Sequence, residues 1–330
     1  MIDPIALTRD LVRIPSPTGE EGPVVDFMAG YLERLGYKVR RLTITPGRDI
    51  IYATLGAPVV VFSTHLDVVP PGLEFREDDE WLHGRGTCDA KGVAAAMVAA
   101  AEELRAGGET RIGLLFVVGE ETGGEGALEA HRLEPKGRYL INGEPTENRL
   151  SIGQKGAITF TLAAAGKAAH SAYPEEGHSA VDTLLDALNR IRALPLPSDP
   201  LLGDTTLNIG QIAGGVAANV IPPAADATLM YRTVADTAPL EAAVRAAAGP
   251  GVTVTRKFQF GHVRSPSLAG WDTTTVKFAS DLAHLSAWGT GYQIGPGSIK
   301  VAHTAHERIA KAELLEGVRA YTRLAKQLLG

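Results

Sequence analysis

Five segments of the chain present acids and imidazoles at spacings that suit a metal centre. His65 and Asp67 stand in Ser63-Thr64-His65-Leu66-Asp67, just past an apolar run at 59–63. Asp89 lies in a glycine-punctuated stretch that runs from Gly84 to Gly92, ahead of an alanine-rich segment. Glu120 and Glu121 close the apolar run 112–118, and Glu144 follows Tyr139–Asn142 in Asn142-Gly143-Glu144-Pro145-Thr146. A later loop, 295–307, offers both His303 and His306, and spacing alone does not choose between them. Oxygen and imidazole donors of this kind can surround one or two divalent ions, zinc, cobalt or manganese, with Asp89 between them. Asp67, two residues from His65, falls on the same side of an extended chain and suits the partner a metal-bound imidazole needs on its other ring nitrogen. Adjacent acids on a strand point to opposite sides, so Glu120 and Glu121 can divide two tasks, one ligating and one moving a proton.

Each fragment alone has a plainer reading: a capping Asp beside an incidental His, or a solvated acidic pair. Three acidic or imidazole segments at the ends of core strands make chance a poor account, because carboxylates there are costly unless paired or metal-bound. Open α/β sheets place their ligand crevices at the carboxyl ends of strands.

The elements that must carry these residues follow from periodicity. Apolar residues recur at helical spacing over 4–15, 20–36, 91–106 and 125–131, and continuous apolar runs at 59–63, 112–118 and 139–142 predict strands covered on both faces. That alternation predicts a mostly parallel sheet flanked by helices. From residue 154 the order changes to strand, helix, two strands, helix and strand (158–164, 179–193, 205–212, 224–232, 238–248, 252–255), a small α+β (βαββαβ) unit. Helices at 275–286 and 309–329 then return to the first sheet. The domain reading is a discontinuous α/β unit, 1–153 and 261–330, with 154–260 inserted.

Bulk composition narrows the function classes. The 330 residues are 45% hydrophobic and 21% charged, an ordinary globular balance. A net charge of −6 and pI of about 5.9 argue against nucleic acid as a partner. No apolar run suits a membrane span, the start of the chain does not read as a signal peptide, and the single cysteine, Cys88, excludes an intrachain disulfide. A cytoplasmic location is the expectation. The 84–92 loop lacks the Gly-Lys-Ser/Thr of a P-loop, no Gly-x-Gly-x-x-Gly opens the first βα unit, and Ser171 beside His170 has no nucleophile elbow.

Taken in order, His65-x-Asp67, Gly-Arg-Gly-x-x-Asp89-x-Lys-Gly, Glu120-Glu121, Gly-Glu144-Pro-Thr and His303 resemble the co-catalytic zinc amidohydrolase and exopeptidase family. Acetylornithine deacetylase, succinyl-diaminopimelate desuccinylase, aminoacylase and glutamate carboxypeptidase are among its members. The resemblance implies a zinc-exopeptidase-like fold in which the inserted 154–260 unit is a lid and dimerisation domain, and hence a homodimer. It implies two divalent metals, zinc first, bridged by Asp89. His65 and Glu144 would complete one metal, and Glu121 and His303 the other. Glu120 would be the general base acting on a metal-bridging water, with Asp67 orienting His65 and a cis peptide following Asp89. It further implies that His170 polarises the scissile carbonyl, that Asn219 and Arg232 hold the substrate's carboxylate or oxyanion, and that Gly295 and Gly297 line the pocket.

The expected reaction is hydrolysis of the amide bond of an N-acylated amino acid, in the manner of acetylornithine deacetylase. Close alternatives are a lysine- or ornithine-releasing hydrolase of a carrier-protein γ-glutamyl conjugate, succinyl-diaminopimelate desuccinylase and a dipeptide-cleaving carboxypeptidase. A catalytically silent amino-acid-binding relative is the alternative outside enzymes. Asn142 departs from the family's pattern without an evident role, and His306 is an extra imidazole, most simply one that supports the site or starts the last helix.

Overall fold

The computed structural model describes residues 2–330 and divides into two compact units. The first comprises the chain through Gly153, Arg264–Val276 and Ser280–Gly330; the second comprises Gln154–Val263 and Lys277–Ala279.

In the first unit, the strands Ile112–Val117, Val60–His65, Tyr139–Asn142 and Thr290–Gln293 lie side by side and run parallel. Lys38–Thr45 and Arg48–Thr54 extend one side of this core antiparallel, and Leu150–Gln154 pairs antiparallel on the other. Every residue of Val60–His65 and Ile112–Val117 is buried, as expected for strands covered by helices on both faces. The helices match their periodicities closely: Pro4–Val12, Gly22–Arg34, Lys91–Ala106 and Lys311–Leu329. Lys91–Ala106 packs against Pro4–Val12, Lys311–Leu329 and the central strands. Its alanines, nearly all buried, permit that close approach without leaving voids.

One predicted helix does not form. Residues 275–286 fall instead into the end of a strand, Thr273–Val276, and two single turns, Asp281–Ala283 and Ser286–Trp288, before the strand Thr290–Gln293. The Ser280 hydroxyl accepts the Leu282 N–H and so caps a lone turn, while Leu282, Leu285 and Trp288 are buried. The apolar spacing read as an amphipathic helix therefore marks three anchors of an irregular connection, and one central parallel strand went unread.

In the second unit the strands are ordered Thr206–Gly214, Ala224–Thr233, Gly156–Ala165, Val252–Phe260, all antiparallel. The helices Ala180–Arg192 and Thr237–Ala248 pack with the sheet around Ile158, Phe160, Leu184, Leu229 and Val244. This is the βαββαβ order read from the sequence.

Candidate metal centre

The loop ahead of helix Lys91–Ala106 is shaped by close backbone approaches. Gly86 adopts φ +86°, and a Cβ on Gly92 would stand 2.1 Å from the Thr87 carbonyl oxygen. Thr87 N–H donates to Gly84 O (3.2 Å) and Lys91 N–H to Gly86 O (2.8 Å), closing the turn that presents Asp89. The Asp89–Ala90 peptide is cis.

Asp89 faces two imidazoles with its two oxygens. His65 Nε2 lies 3.2 Å from Oδ1, and His303 Nε2 lies 3.3 Å from Oδ2. His303 Nε2 is also 3.0 Å from the Glu121 carboxylate. Donor atoms of His65, Asp89 and Glu144 lie within 4.8 Å of one another, as do those of Asp89, Glu121 and His303. Asp89 is the member common to both groups. His303 holds φ +62°, a backbone region sparsely used by non-glycine residues and concentrated at functional sites. His306, exposed, is not a member of either group; its N–H donates to Thr304 Oγ1.

Asp67 does more than face His65. The closer contact to His65 Nδ1 is the Asp67 main-chain oxygen at 2.9 Å, with the carboxylate at 3.5 Å. The carboxylate instead accepts the N–H groups of Glu120 and Glu121 (3.2 Å each) and the Thr18 hydroxyl (2.8 Å). One buried acid thus fixes both the imidazole and the acidic pair. That pair sits on a 3₁₀ turn, Glu120–Thr122, rather than on a strand, so a turn and not a pleat directs the two side chains.

Charge in this pocket is unbalanced. Burial, then the Asp281 and Glu144 charges, pushes the Glu120 carboxyl well above the usual range, and burial with Asp89 does the same to Glu144. Burial also raises Glu121, against the pull of His303. Asp89 goes the other way: although burial opposes ionisation, His303 and His65 hold its carboxyl below the ordinary value. His303 is raised to about 10 by Asp89 and Glu121. A buried cluster of acids that raise one another is the electrostatic setting a divalent cation relieves, and the oxygen and imidazole donors suit zinc, manganese or cobalt. The residues fit a two-ion centre.

Two acids of this region escaped sequence reasoning. Asp281, in the segment misread as a helix, is buried with neither oxygen hydrogen-bonded, and burial pushes it up to about 7. Glu307 accepts main-chain N–H groups of the metal loop. Neither carries a local motif; only the fold brings them in. Asn142 acquires a place: its Nδ2 donates to Ser280 Oγ (3.3 Å), which donates to Gln293 Oε1 (2.6 Å), a buried chain across neighbouring strands.

The remaining predicted residues are placed as follows. Gly295 and Gly297 are buried, and their carbonyls accept N–H groups of Thr146, Asn148 and Glu147, the segment after Glu144. In the second unit, His170 is exposed and its Nδ1 accepts the Ala172 N–H at 3.1 Å, which leaves Nε2 as the donor of the neutral ring. It bridges Val220 beside the exposed Asn219, whose carbonyl accepts the Ser171 N–H. Arg232 lies in the strand Ala224–Thr233, half-buried.

The model of peptidase family M20/M25/M40 matches residues 61–327. A peptidase M20 domain-containing protein of Schizosaccharomyces pombe is 38% identical over 333 residues, covering 97% of this chain and 83% of its own length. A probable carboxypeptidase of Aspergillus terreus is 38% identical over 370 residues, covering 97% and 85%. The M20 family metallo-carboxypeptidase Sso-CP2 of Sulfolobus solfataricus has the same fold, with a TM-score of 0.82 over 99% of both chains at 16% identity. With the match running from Val61 past His303, the chain belongs to peptidase family M20/M25/M40 and is a metal-dependent amidohydrolase or metallopeptidase.

Proposed function

We propose that the chain hydrolyses the amide bond of an N-acylated amino acid, with an aminoacyl or short peptidyl group as the acyl part, in a carboxypeptidase-like reaction. The observation that carries the reaction is Asp89, whose two oxygens face the imidazoles of two ligand groups. The choice of a peptide over an acetyl group is supported by 38% identity, across 97% of the chain, to a protein named a probable carboxypeptidase. N-acetylornithine contains the same kind of bond, an acyl carbonyl on an amino-acid nitrogen, so the acetylornithine deacetylase reading differs only in the acyl group.

His65, Asp89 and Glu144 would hold one ion and Asp89, Glu121 and His303 the other. When bound, the ions supply Lewis acidity, lowering the pKa of water and polarising an amide carbonyl. Glu120 lies outside both groups, and its main chain is pinned by Asp67. It takes the proton from water and delivers it to the departing amine, a task favoured by a carboxyl whose pKa is raised by burial. Asp67 holds His65 and the Glu120–Glu121 turn in register. His170, as an Nε2 donor, has the chemistry to polarise a scissile carbonyl.

Metal analysis and amino-acid release from a panel of dipeptides, N-acetyl, N-succinyl and γ-glutamyl amino acids test this reading. Two divalent ions per chain and fastest release from dipeptides are expected. Faster release from N-acetylornithine reverses the choice of acyl group, and no metal with no hydrolysis leaves only a binding role.

We also propose a homodimer through the second unit. Its edge strand Thr206–Gly214 is largely exposed and carries Ile212, with Leu185 and Val216 exposed in the same unit. An unpaired edge with apolar side chains is a template for pairing with a second copy. Ile212→Lys is expected to shift the sedimentation mass from dimer toward monomer; a wild-type chain that sediments as a monomer refutes the arrangement.

A further inference from the structure

Glu307 is 1% exposed and precedes the helix Lys311–Leu329. Its Oε1 accepts the main-chain N–H groups of Gly86 (2.8 Å), Asp89 (3.3 Å) and Cys88 (3.4 Å). Its Oε2 takes the Arg85 guanidinium at 2.7 Å. Arg85, 5% exposed, also donates to the carbonyls of Pro71 (3.2 Å) and Thr304 (3.3 Å). The Glu307 carbonyl accepts Gly84 N–H at 3.1 Å. One residue therefore gathers the loop that carries Asp89, and it stands four positions after His303 on the loop that carries the facing imidazole.

A turn leaves N–H groups that need acceptors, and a carbonyl or a water meets that need at little cost. A carboxylate is a stronger choice, since charge-assisted bonds to several N–H groups fix a backbone firmly. Burying it with Arg85 carries a desolvation penalty that often cancels the gain in stability. An ion pair kept in this position, beside a cluster already rich in acids, is better explained by geometry than by stability.

We propose that Glu307 is a positioning residue of the metal centre: held by Arg85, it fixes the backbone of residues 86–89 relative to His303 and so sets the spacing of the two ligand groups around Asp89. It touches none of the reacting atoms and acts through the main chain of Asp89. The proposal rests on the ligand assignment above.

Glu307→Gln keeps the shape of the side chain and one acceptor oxygen, but turns an amide donor toward the Arg85 donors. Five quantities are to be measured on the full chain. They are zinc affinity by chelator competition, the visible spectrum of the cobalt-loaded protein, hydrogen exchange of residues 84–92 in metal-free protein, and kcat and KM separately. Expected are a 10–100-fold loss of zinc affinity, the scale for a partner that orients a ligand, and an altered cobalt spectrum. Exchange in 84–92 should speed up at least tenfold, and kcat should fall with KM within about twofold. Adding Arg85→Met, which removes the opposed donors, should restore part of the affinity. A Glu307→Gln protein that melts earlier yet keeps zinc affinity, cobalt spectrum and kcat would show a clamp for stability alone and overturn the proposal. Should that variant not fold, Arg85→Met decides: weakened zinc binding supports the role, and unchanged binding with an unchanged spectrum overturns it. A wild-type chain that binds no metal fails the ligand assignment, whereas a change confined to the variants bears on Glu307.

Discussion

Glu120→Gln is expected to retain both metal ions and to lose about 10²–10⁴-fold in turnover, the scale of a positioned acid–base group. Retention follows from the two ligand groups, neither of which includes Glu120. The loss follows from the chemistry: an amide cannot take a proton from water or return one to an amine. The backbone should not respond, because what holds the turn is the bond from Glu120 N–H to Asp67 Oδ1 at 3.2 Å, which a side-chain change leaves alone. Substrate contacts are untouched, so kcat and kcat/KM should fall together, the sign of an interaction made only in the transition state. Metal stoichiometry and steady-state kinetics on the same preparation check the claim. A metal-loaded variant working at near wild-type rate would transfer the proton role to another group, and Asp281, buried nearby and unpaired, would be the first to test.

What the sequence discloses about this site depends on how local each signal is. The candidate residues His65, Asp89, Glu121 and Glu144 were legible because each stands at the end of an apolar run or in a glycine turn, patterns written within about ten residues. His303 was separable from His306 only through resemblance, since both lie in one loop and only the fold brings the His303 imidazole beside Asp89 and Glu121. Asp67 was given one partner, but its carboxylate serves the Glu120–Glu121 main chain, and no side-chain pattern reports a bond to a backbone N–H. Glu307 was silent because the groups its carboxylate serves lie more than two hundred residues away in sequence, and Asp281 because its buried carboxylate has no hydrogen-bond partner to announce it. The misread helix at 275–286 has a related cause, because buried anchors in an irregular connection mimic helical spacing when residues such as Leu282 and Leu285 fall three apart. The strands and helices of the second unit were legible, since alternation and amphipathic stripes are local properties of an antiparallel sheet with two helices.

Asp89→Asn should separate a shared ligand from ordinary ones. Asparagine preserves shape but removes the charge and one acceptor oxygen at the position that faces His65 with one oxygen and His303 with the other. Removing one partner from a buried charged cluster costs about 3–5 kcal/mol, or on the order of 10²–10⁴-fold in affinity. Because Asp89 belongs to both groups, that loss applies to both ions. Glu144→Gln touches only the group of His65, and His303→Ala only that of Glu121, so each of these should keep one tightly held ion. Thermal melting gives a readout independent of turnover: an ion supplied at 1,000 times its dissociation constant adds ~4 kcal/mol of stability, and at ten times only ~1.4. Wild type should therefore gain strongly on adding zinc, the Glu144 and His303 variants about half as much, and Asp89→Asn little. The metal-free melting of Asp89→Asn sets the baseline, since losing its ionic contacts to His65 and His303 is offset by relief of repulsion on Glu121 and Glu144. An Asp89→Asn protein that still binds one ion with wild-type affinity would place Asp89 on a single metal, and the two groups would then be independent sites rather than halves of one centre.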